Sequence, residues 1–115
     1  MEIKLVDKSL PLSDVAAMAK DQFGEMIKAT VDVERELLAL GGDLHSDEEA
    51  LLLESGSKQE HLWGINIYPG NAESERVEFD SMINVRPSQN NRSRGVEDPA
   101  IRERILRVVK SLIRA

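Results

Sequence analysis

The interpretation of the fold depends first on residues 30–42, TVDVERELLALGG. Val31, Val33, Leu37 and Ala39 alternate with the acidic residues at positions 32, 34 and 36, interrupted only by Arg35, and a period of two is typical of a β-strand. A helix over residues 34–40 is the competing interpretation, because the leucines there also fit helical spacing. The two consecutive glycines that follow favour a hairpin turn, since glycine adopts positive φ at little cost. We therefore predict a strand over residues 30–40, a turn at Gly41-Gly42 and a returning strand over residues 43–54.

The flanking segments supply the other predicted elements. Residues 2–6 alternate as a short strand, and Ser13 is a suitable N-cap for a helix over residues 13–28 that contains Gly24. The pattern of residues 62–68 predicts a strand with Trp63 in the core. Residues 77–86 show the clearest alternation of apolar and polar residues, which predicts another strand. After a polar loop over residues 87–97, Asp98-Pro99 predicts the start of a final helix.

These elements predict one domain over residues 1–115 of the α+β class. Their order is β-α-β-β-β-β-α, and the sheet is expected to be mostly antiparallel. Two amphipathic helices covering one sheet face would give a two-layer sandwich.

Composition narrows the classes of function. The formal net charge of −6 makes nucleic-acid binding by the whole surface an unfavourable hypothesis. The chain has no cysteine, which excludes thiolate catalysis and disulfides and suits a reducing compartment. Neither a signal peptide nor a long apolar run is present in the sequence, so we predict a cytoplasmic protein without a membrane partner.

An acidic face is the first candidate site. In the predicted hairpin, Glu34 and Glu36 lie on the same side as His45, Asp47 and Glu49. Like charges opposite each other are destabilising, so a divalent metal, raised carboxyl pKa values or another register would have to relieve them. The five residues form a predicted metal site, or a general acid and base pair. The alternative is a solvated face that keeps the sheet soluble.

An arginine loop is the second candidate site. Arg86, Arg92, Ser93 and Arg94 lie within nine residues that contain no acid. Guanidinium groups bind phosphate or carboxylate in a bidentate way, and the nearby helix start favours negative charge. The sequence therefore predicts an anion site, and the alternative is that these arginines neutralise the protein's own carboxylates.

Several segments together resemble a known family. They are LGGDLHSD (residues 40–47), LWGINIYP (62–69), FDSMINVRP (79–87) and NRSR (91–94), and the resemblance covers nearly the whole chain. In these segments the chain resembles a family of small prokaryotic proteins that is classified as a domain of unknown function. The resemblance implies a single-domain protein and brings no activity with it.

Two hypotheses for function follow from these observations. The first is a small-molecule or anion-binding protein, in one form a metal-dependent enzyme, that uses the acidic face and the arginine loop. The second is a non-catalytic interaction module, a homodimer in which the two sites pair across chains. Convergence of both sites in one concave pocket would favour the first hypothesis. The sequence does not decide whether the protein is an enzyme.

Overall fold

The computed structural model describes residues 2–115, and these contain three α-helices and two β-sheets. The strands are β1 (Lys4–Val6), β2 (Leu10–Pro11), β3 (Ile27–Asp32), β4 (Leu37–Leu40), β5 (Leu62–Ile67), β6 (Val77–Glu78) and β7 (Ile113–Arg114). The helices are α1 (Leu12–Lys20), α2 (His45–Glu54) and α3 (Pro99–Leu112). Short 3₁₀ turns lie at Gln59–His61, Glu73–Glu75, Met82–Asn84 and Pro87–Gln89.

The main sheet has five strands in the order β1-β4-β3-β5-β6, and each neighbouring pair is antiparallel. The long central pair places Val31 beside Trp63 and Ala29 beside Ile65. A separate parallel pair, β2 with β7, joins the segment before α1 to the end of α3. The α+β class and the mostly antiparallel sheet are thus confirmed.

One face of the sheet carries the main hydrophobic core. Alternate residues of β3, β4 and β5 point to it, and they pack with the buried residues of α1 and α3, including Val15 and Ile105. Trp63 is only 2% exposed and belongs to this core, as predicted. We call this the aliphatic face.

The opposite face is covered in part by α2 and carries a small apolar cluster of Ala39, Leu52 and Leu62. Buried polar residues Thr30, Asp32 and Asn66 lie on the same face, because they alternate with the core residues of their strands. We call this the polar face. Two helices, α1 and α3, cover one face of the sheet, as predicted. The third helix, α2, was not predicted and covers part of the other face.

The prediction of a hairpin turn at Gly41-Gly42 is wrong, because the hairpin turn lies at residues 33–36, between β3 and β4. Asp32 Oδ1 accepts hydrogen bonds from the backbone amides of Glu34 and Arg35, both at 2.9 Å, and Glu36 has a φ of +57°. An aspartate that bonds amides two and three residues further on initiates a turn. The alternation over residues 30–40 therefore belongs to two strands.

Residues 45–54 form helix α2 rather than the predicted returning strand. Its buried positions are His45, Glu48 and Leu52, at spacings of three and four, so the inward face of the helix is mainly polar. Gly41 has a φ of +93°, and a Cβ on Gly42 would lie 2.8 Å from Glu48 Cγ. The two glycines thus let the chain leave β4 and pack closely against α2.

Three other boundaries differ from the prediction. Helix α1 ends at Lys20, before Gly24 with its φ of +86°, and residues 27–32, whose first part was predicted as helix, pair in β3. Ser13 lies inside α1, whose N-cap is Pro11. Of the predicted strand over residues 77–86, Val77–Glu78 pair with β5, and Arg86 forms an isolated antiparallel bridge with Asn91. The strand over residues 62–68 and the Asp98 cap, whose carboxylate accepts from the Ala100 amide at 2.8 Å, are confirmed.

Candidate functional site

A polar cleft opens on the polar face, between the start of α2 and residues 78–83. It has a volume of about 430 Å³. Its lining includes polar and charged residues from several elements: Lys28, His45, Asn66, Tyr68, Glu78, Asp80, Ser81 and Arg94. The sequence separates these residues widely, and the sheet brings them together.

His45 is the first residue of α2 and is 8% exposed. Its Nε2 lies 2.7 Å from the carbonyl oxygen of Ile65, which can only accept, so Nε2 carries a proton. Burial lowers the pKa of His45 below its usual value, and nearby Lys28 lowers it further. A neutral ring with its proton on Nε2 leaves the lone pair on Nδ1, which can accept a hydrogen bond or a proton.

Asn66 lines the cleft from β5 and is 6% exposed. Its Nδ2 donates to Glu78 Oε1 at 2.9 Å and approaches the Asp80 carbonyl at 3.5 Å, and two acceptors on that side fix the orientation of the amide. Its Oδ1 is buried and accepts no hydrogen bond from residues 2–115. A buried acceptor without a donor costs about 1–3 kcal/mol, so this oxygen favours any molecule that brings an N–H or O–H group.

Charges of both signs line the cleft. Arg94 Nε lies 2.7 Å from Asp80 Oδ1, and Tyr68 Oη donates to Glu78 Oε1 at 3.3 Å. Lys28 supplies a second cation from β3. The two cations and the two carboxylates balance, so the cleft has no large net charge.

Gly64 allows the cleft wall to approach the sheet. A Cβ at this position would lie 2.5 Å from Ser81 Cβ and 3.1 Å from His45 Cδ2. Real Cβ atoms do not come as close as the first of these distances. Ser81 and His45 therefore meet over Gly64 only because glycine has no side chain.

Asn84 fastens the same wall to β5. Its Oδ1 accepts from the Gly64 amide at 2.8 Å, and its Nδ2 donates to the carbonyls of Gly64 and Arg94, both at 2.9 Å. The side chain thus satisfies backbone groups that a further strand would otherwise pair. Asn91 extends the network, because its Nδ2 donates to the carbonyl of Asn84 at 2.7 Å.

Glu48 lies one turn after His45 and is fully buried. It accepts hydrogen bonds from Thr30 Oγ1 at 3.0 Å and from the Gly42 amide at 2.9 Å. Burial raises the pKa of Glu48 to about 8, although these two bonds oppose the shift. The carboxyl group through which α2 contacts the sheet is therefore protonated more readily than a carboxyl group in water.

The predicted metal residues are not brought together. His45 is buried in the cleft, whereas Asp47 is exposed on α2 and Glu34 and Glu36 lie in the distant hairpin turn. Glu49 is half-buried on α2 and does not line the cleft. Across residues 2–115, no three His, Asp or Glu side chains are arranged to hold a metal ion. The acidic face was predicted from a strand register that does not exist. Its residues lie in helix α2 and in the turn between β3 and β4, so they do not share one side of a sheet.

The predicted arginine site is divided between several places. Arg94 lines the cleft, but the Arg86 guanidinium carbon lies 4.2 Å from the Trp63 ring centroid and the group donates to the Leu62 carbonyl. The backbone amides of Arg92 and Ser93 both donate to Glu97 Oε2 at 2.8 Å. These bonds hold the pKa of Glu97 below its usual value. A carboxylate of the chain thus binds the backbone amides of this loop.

The cleft also contains Lys28, Asn66 and Asp80, which were not among the predicted site residues. Asn66 gave a usable signal, because it interrupts the apolar strand Leu62–Ile67, whose residues are all buried. A polar residue on a fully buried strand needs partners, and its position beside Lys28 in the sheet register indicates a polar surface there. Asp80 gave no such signal, because it fits the apparent alternation of apolar and polar residues over residues 77–86.

The fold and the cleft together define a class: an α+β protein with a polar, charge-balanced cleft on the less apolar face of an antiparallel sheet. Residues 4–112 match the family described as "Protein of unknown function (DUF5674)", and the chain belongs to that family. No curated protein and no solved structure matches the chain significantly. In the described part of the chain, no helix is long and apolar enough to cross a membrane.

Proposed function

We propose that this protein binds a small polar molecule, neutral or zwitterionic, in the polar cleft. The observation that carries the proposal is the buried, unpaired Oδ1 of Asn66 in a concave site that also contains His45 and Arg94. Residues from both segments singled out in the sequence thus contribute to one concave site. That arrangement favours small-molecule binding over a flat interaction surface.

The hydrogen-bonding character of the cleft indicates the chemistry of its ligand. Asn66 Oδ1 is an acceptor, and a neutral His45 ring protonated on Nε2 offers a second acceptor at Nδ1. The carboxylates of Glu78 and Asp80 add further acceptor capacity. A ligand with N–H or O–H donors, such as a primary amide, an amino acid or a polyol, is complementary to this set.

The charge balance argues against a strongly charged ligand. A dianion such as phosphate would gain from Lys28 and Arg94 but would be repelled by Glu78 and Asp80. Arg94 is already paired with Asp80, so its charge is partly used. A zwitterion or a neutral molecule avoids this cost.

The test is a nuclear magnetic resonance titration of the ¹⁵N-labelled protein. The probes are a panel of small amides, amino acids and polyols, with inorganic phosphate as the anionic comparison. We expect members of the panel to shift the amide resonances of residues 45, 46, 66 and 80, and phosphate to bind at least about tenfold more weakly. Tighter binding of phosphate would instead support an anion site.

Blocking variants make the titration specific. Ser46 is exposed at the mouth of the cleft, so Ser46→Trp fills the cleft without touching the core and is expected to abolish binding. Ala50→Trp is the matched control, because Ala50 is exposed on the same helix and does not line the cleft. A panel without any binder, or binding that survives Ser46→Trp, would contradict the proposal.

A further inference from the structure

A second concavity lies between residues 73–79 and the C-terminal half of α3. This groove has a volume of about 700 Å³ and shares no lining residue with the polar cleft. Its apolar lining is formed by Val77, Phe79, Leu106, Val109 and Ile113. Val109 and Ile113 are buried, whereas Leu106 is 45% exposed. The groove therefore has an apolar lining that is partly exposed to solvent, and its volume is within the ~300–1,000 Å³ usual for ligand sites.

The rim of the groove is basic. Its described lining includes three basic residues, Arg76, Lys110 and Arg114, together with one acidic side chain, Glu73, and the last residue, Ala115. The Arg114 guanidinium also donates to the carbonyl of Ser9 at 3.1 Å. Lys110 Nζ and Glu73 Oε1 are 3.9 Å apart and both side chains are mostly exposed, so that pair is weak. A basic rim of this kind contrasts with the net charge of −6 for the whole chain.

Arg76 is incompletely satisfied at this rim. Its NH2 group donates to the carbonyl of Asn71 at 3.1 Å, but its Nε is buried and has no hydrogen-bond partner in residues 2–115. A buried guanidinium N–H without an acceptor is costly, and a carboxylate is the acceptor that fits it best.

We propose that the groove binds an amphiphilic carboxylate, an unbranched alkyl chain with a carboxylate head. The alkyl chain would lie on the apolar lining, and the carboxylate would accept from Arg76 Nε near Lys110. Burial of the chain drives binding in proportion to apolar area, and the charge-assisted hydrogen bond selects the head group. A second copy of this chain is a poorer occupant, because two molecules of net charge −6 repel each other.

The experiment compares three ligands with one alkyl chain and different heads: decanoate, decanol and decyltrimethylammonium. Each is titrated calorimetrically into the full chain below the concentration at which it forms micelles. We expect decanoate to bind roughly tenfold more tightly than decanol, which is the factor for one charge-assisted hydrogen bond, and the cation to bind most weakly. Equal binding of the three ligands, or none, would overturn the proposal.

Two variants locate the site. Arg76→Met is expected to lower decanoate affinity roughly tenfold while leaving decanol binding unchanged. Leu106→Glu, at a position that is 45% exposed, is expected to abolish binding of both ligands without unfolding the protein. Arg107→Gln is the matched control, because Arg107 lies on the same helix, is exposed and does not line the groove. Its affinities are expected to equal those of wild type.

Sedimentation tests whether a second copy of this chain, rather than a carboxylate ligand, occupies the groove. Wild type is expected to remain monomeric with and without decanoate. A dimer that Leu106→Glu dissociates would show that the groove is an interface between copies and would overturn the ligand proposal. Decanoate binding that survives Leu106→Glu would also overturn it, because the ligand would then lie elsewhere.

Discussion

The two faces of the sheet are stabilised by different means. On the aliphatic face, α1 and α3 pack over a continuous set of buried Val, Ile, Leu and Trp side chains. On the polar face, α2 is anchored by Glu48 and His45 as well as by the small cluster around Leu52. Hydrophobic burial is non-directional, whereas each polar anchor needs a partner at a fixed place. The face that depends on specific partners is also the face that contains the cleft.

Truncation of one leucine on each face provides the largest expected effect. Leu38 and Leu52 are both fully buried, but Leu38 belongs to the main core and Leu52 to a cluster of three residues. We expect Leu38→Ala to lower the free energy of unfolding by about 4 kcal/mol and Leu52→Ala by about 2–3 kcal/mol, since a small cluster collapses more easily around a cavity. Urea denaturation measures both.

Leu53→Ala is the control for that comparison, because Leu53 is 40% exposed beside Leu52 and should change stability by less than about 1 kcal/mol. Equal losses for Leu38→Ala and Leu52→Ala would show that the two faces are packed alike.

Glu48→Gln tests the main polar anchor. The folded pKa of about 8 exceeds the unfolded value, so the contribution of Glu48 is fully present below pH 4.5 and is lost as the pH rises through 8. Glutamine can accept from the Gly42 amide through its oxygen and donate to Thr30 Oγ1 through its NH2 group, and it cannot ionise. We expect Glu48→Gln to raise the free energy of unfolding at pH 8 by up to about 4 kcal/mol and to change little at pH 4.

Urea denaturation of both proteins across pH 4–9 measures this, with Glu54→Gln, exposed at the end of α2, as the control that should follow wild type. His45 contributes the opposite slope, because its lowered pKa removes stability as the pH falls below 6.5. A variant curve parallel to that of wild type would mean that Glu48 is ionised in the native protein at neutral pH.

Asn84→Ala tests the polar anchor that fastens the cleft wall, with the smallest expected effect. The change leaves the amide and the carbonyl of Gly64 without their side-chain partner. We expect a loss of about 2 kcal/mol in the free energy of unfolding, and faster hydrogen exchange at the Gly64 amide. Ser88→Ala, exposed in the same loop, should alter neither quantity. Unchanged exchange at Gly64 in Asn84→Ala would mean that water replaces the side chain without loss.

The same contrast explains which elements the sequence could predict. The central strand Leu62–Ile67 and the helix after Asp98 bury regular apolar patterns, and both were found. Helix α2 was missed because two of its three buried residues, His45 and Glu48, are ionisable, so its inward face did not look apolar. The period of the apolar residues predicts the secondary structure of a segment only when that segment buries an apolar surface.

The turn at residues 33–36 was missed for a related reason. Asp32 looked like the outward residue of an alternating strand, but it is fully buried and its carboxylate holds the turn. In the cleft, only His45 and Arg94 came from predicted sites. The partners of Asn66 depend on how residues 78–84 leave the sheet, and local pattern does not encode that path.

The close approach at Gly64 limits the missense mutations that the cleft can tolerate at this position. Every codon for glycine is separated by one nucleotide change from codons for residues that carry a Cβ, and no other amino acid lacks that atom. Since Ser81 Cβ lies 2.5 Å from where the new atom would stand, any missense change at Gly64 must push the cleft wall away from β5. Natural variants that retain the cleft should therefore keep glycine at this position, whatever else in the segment drifts.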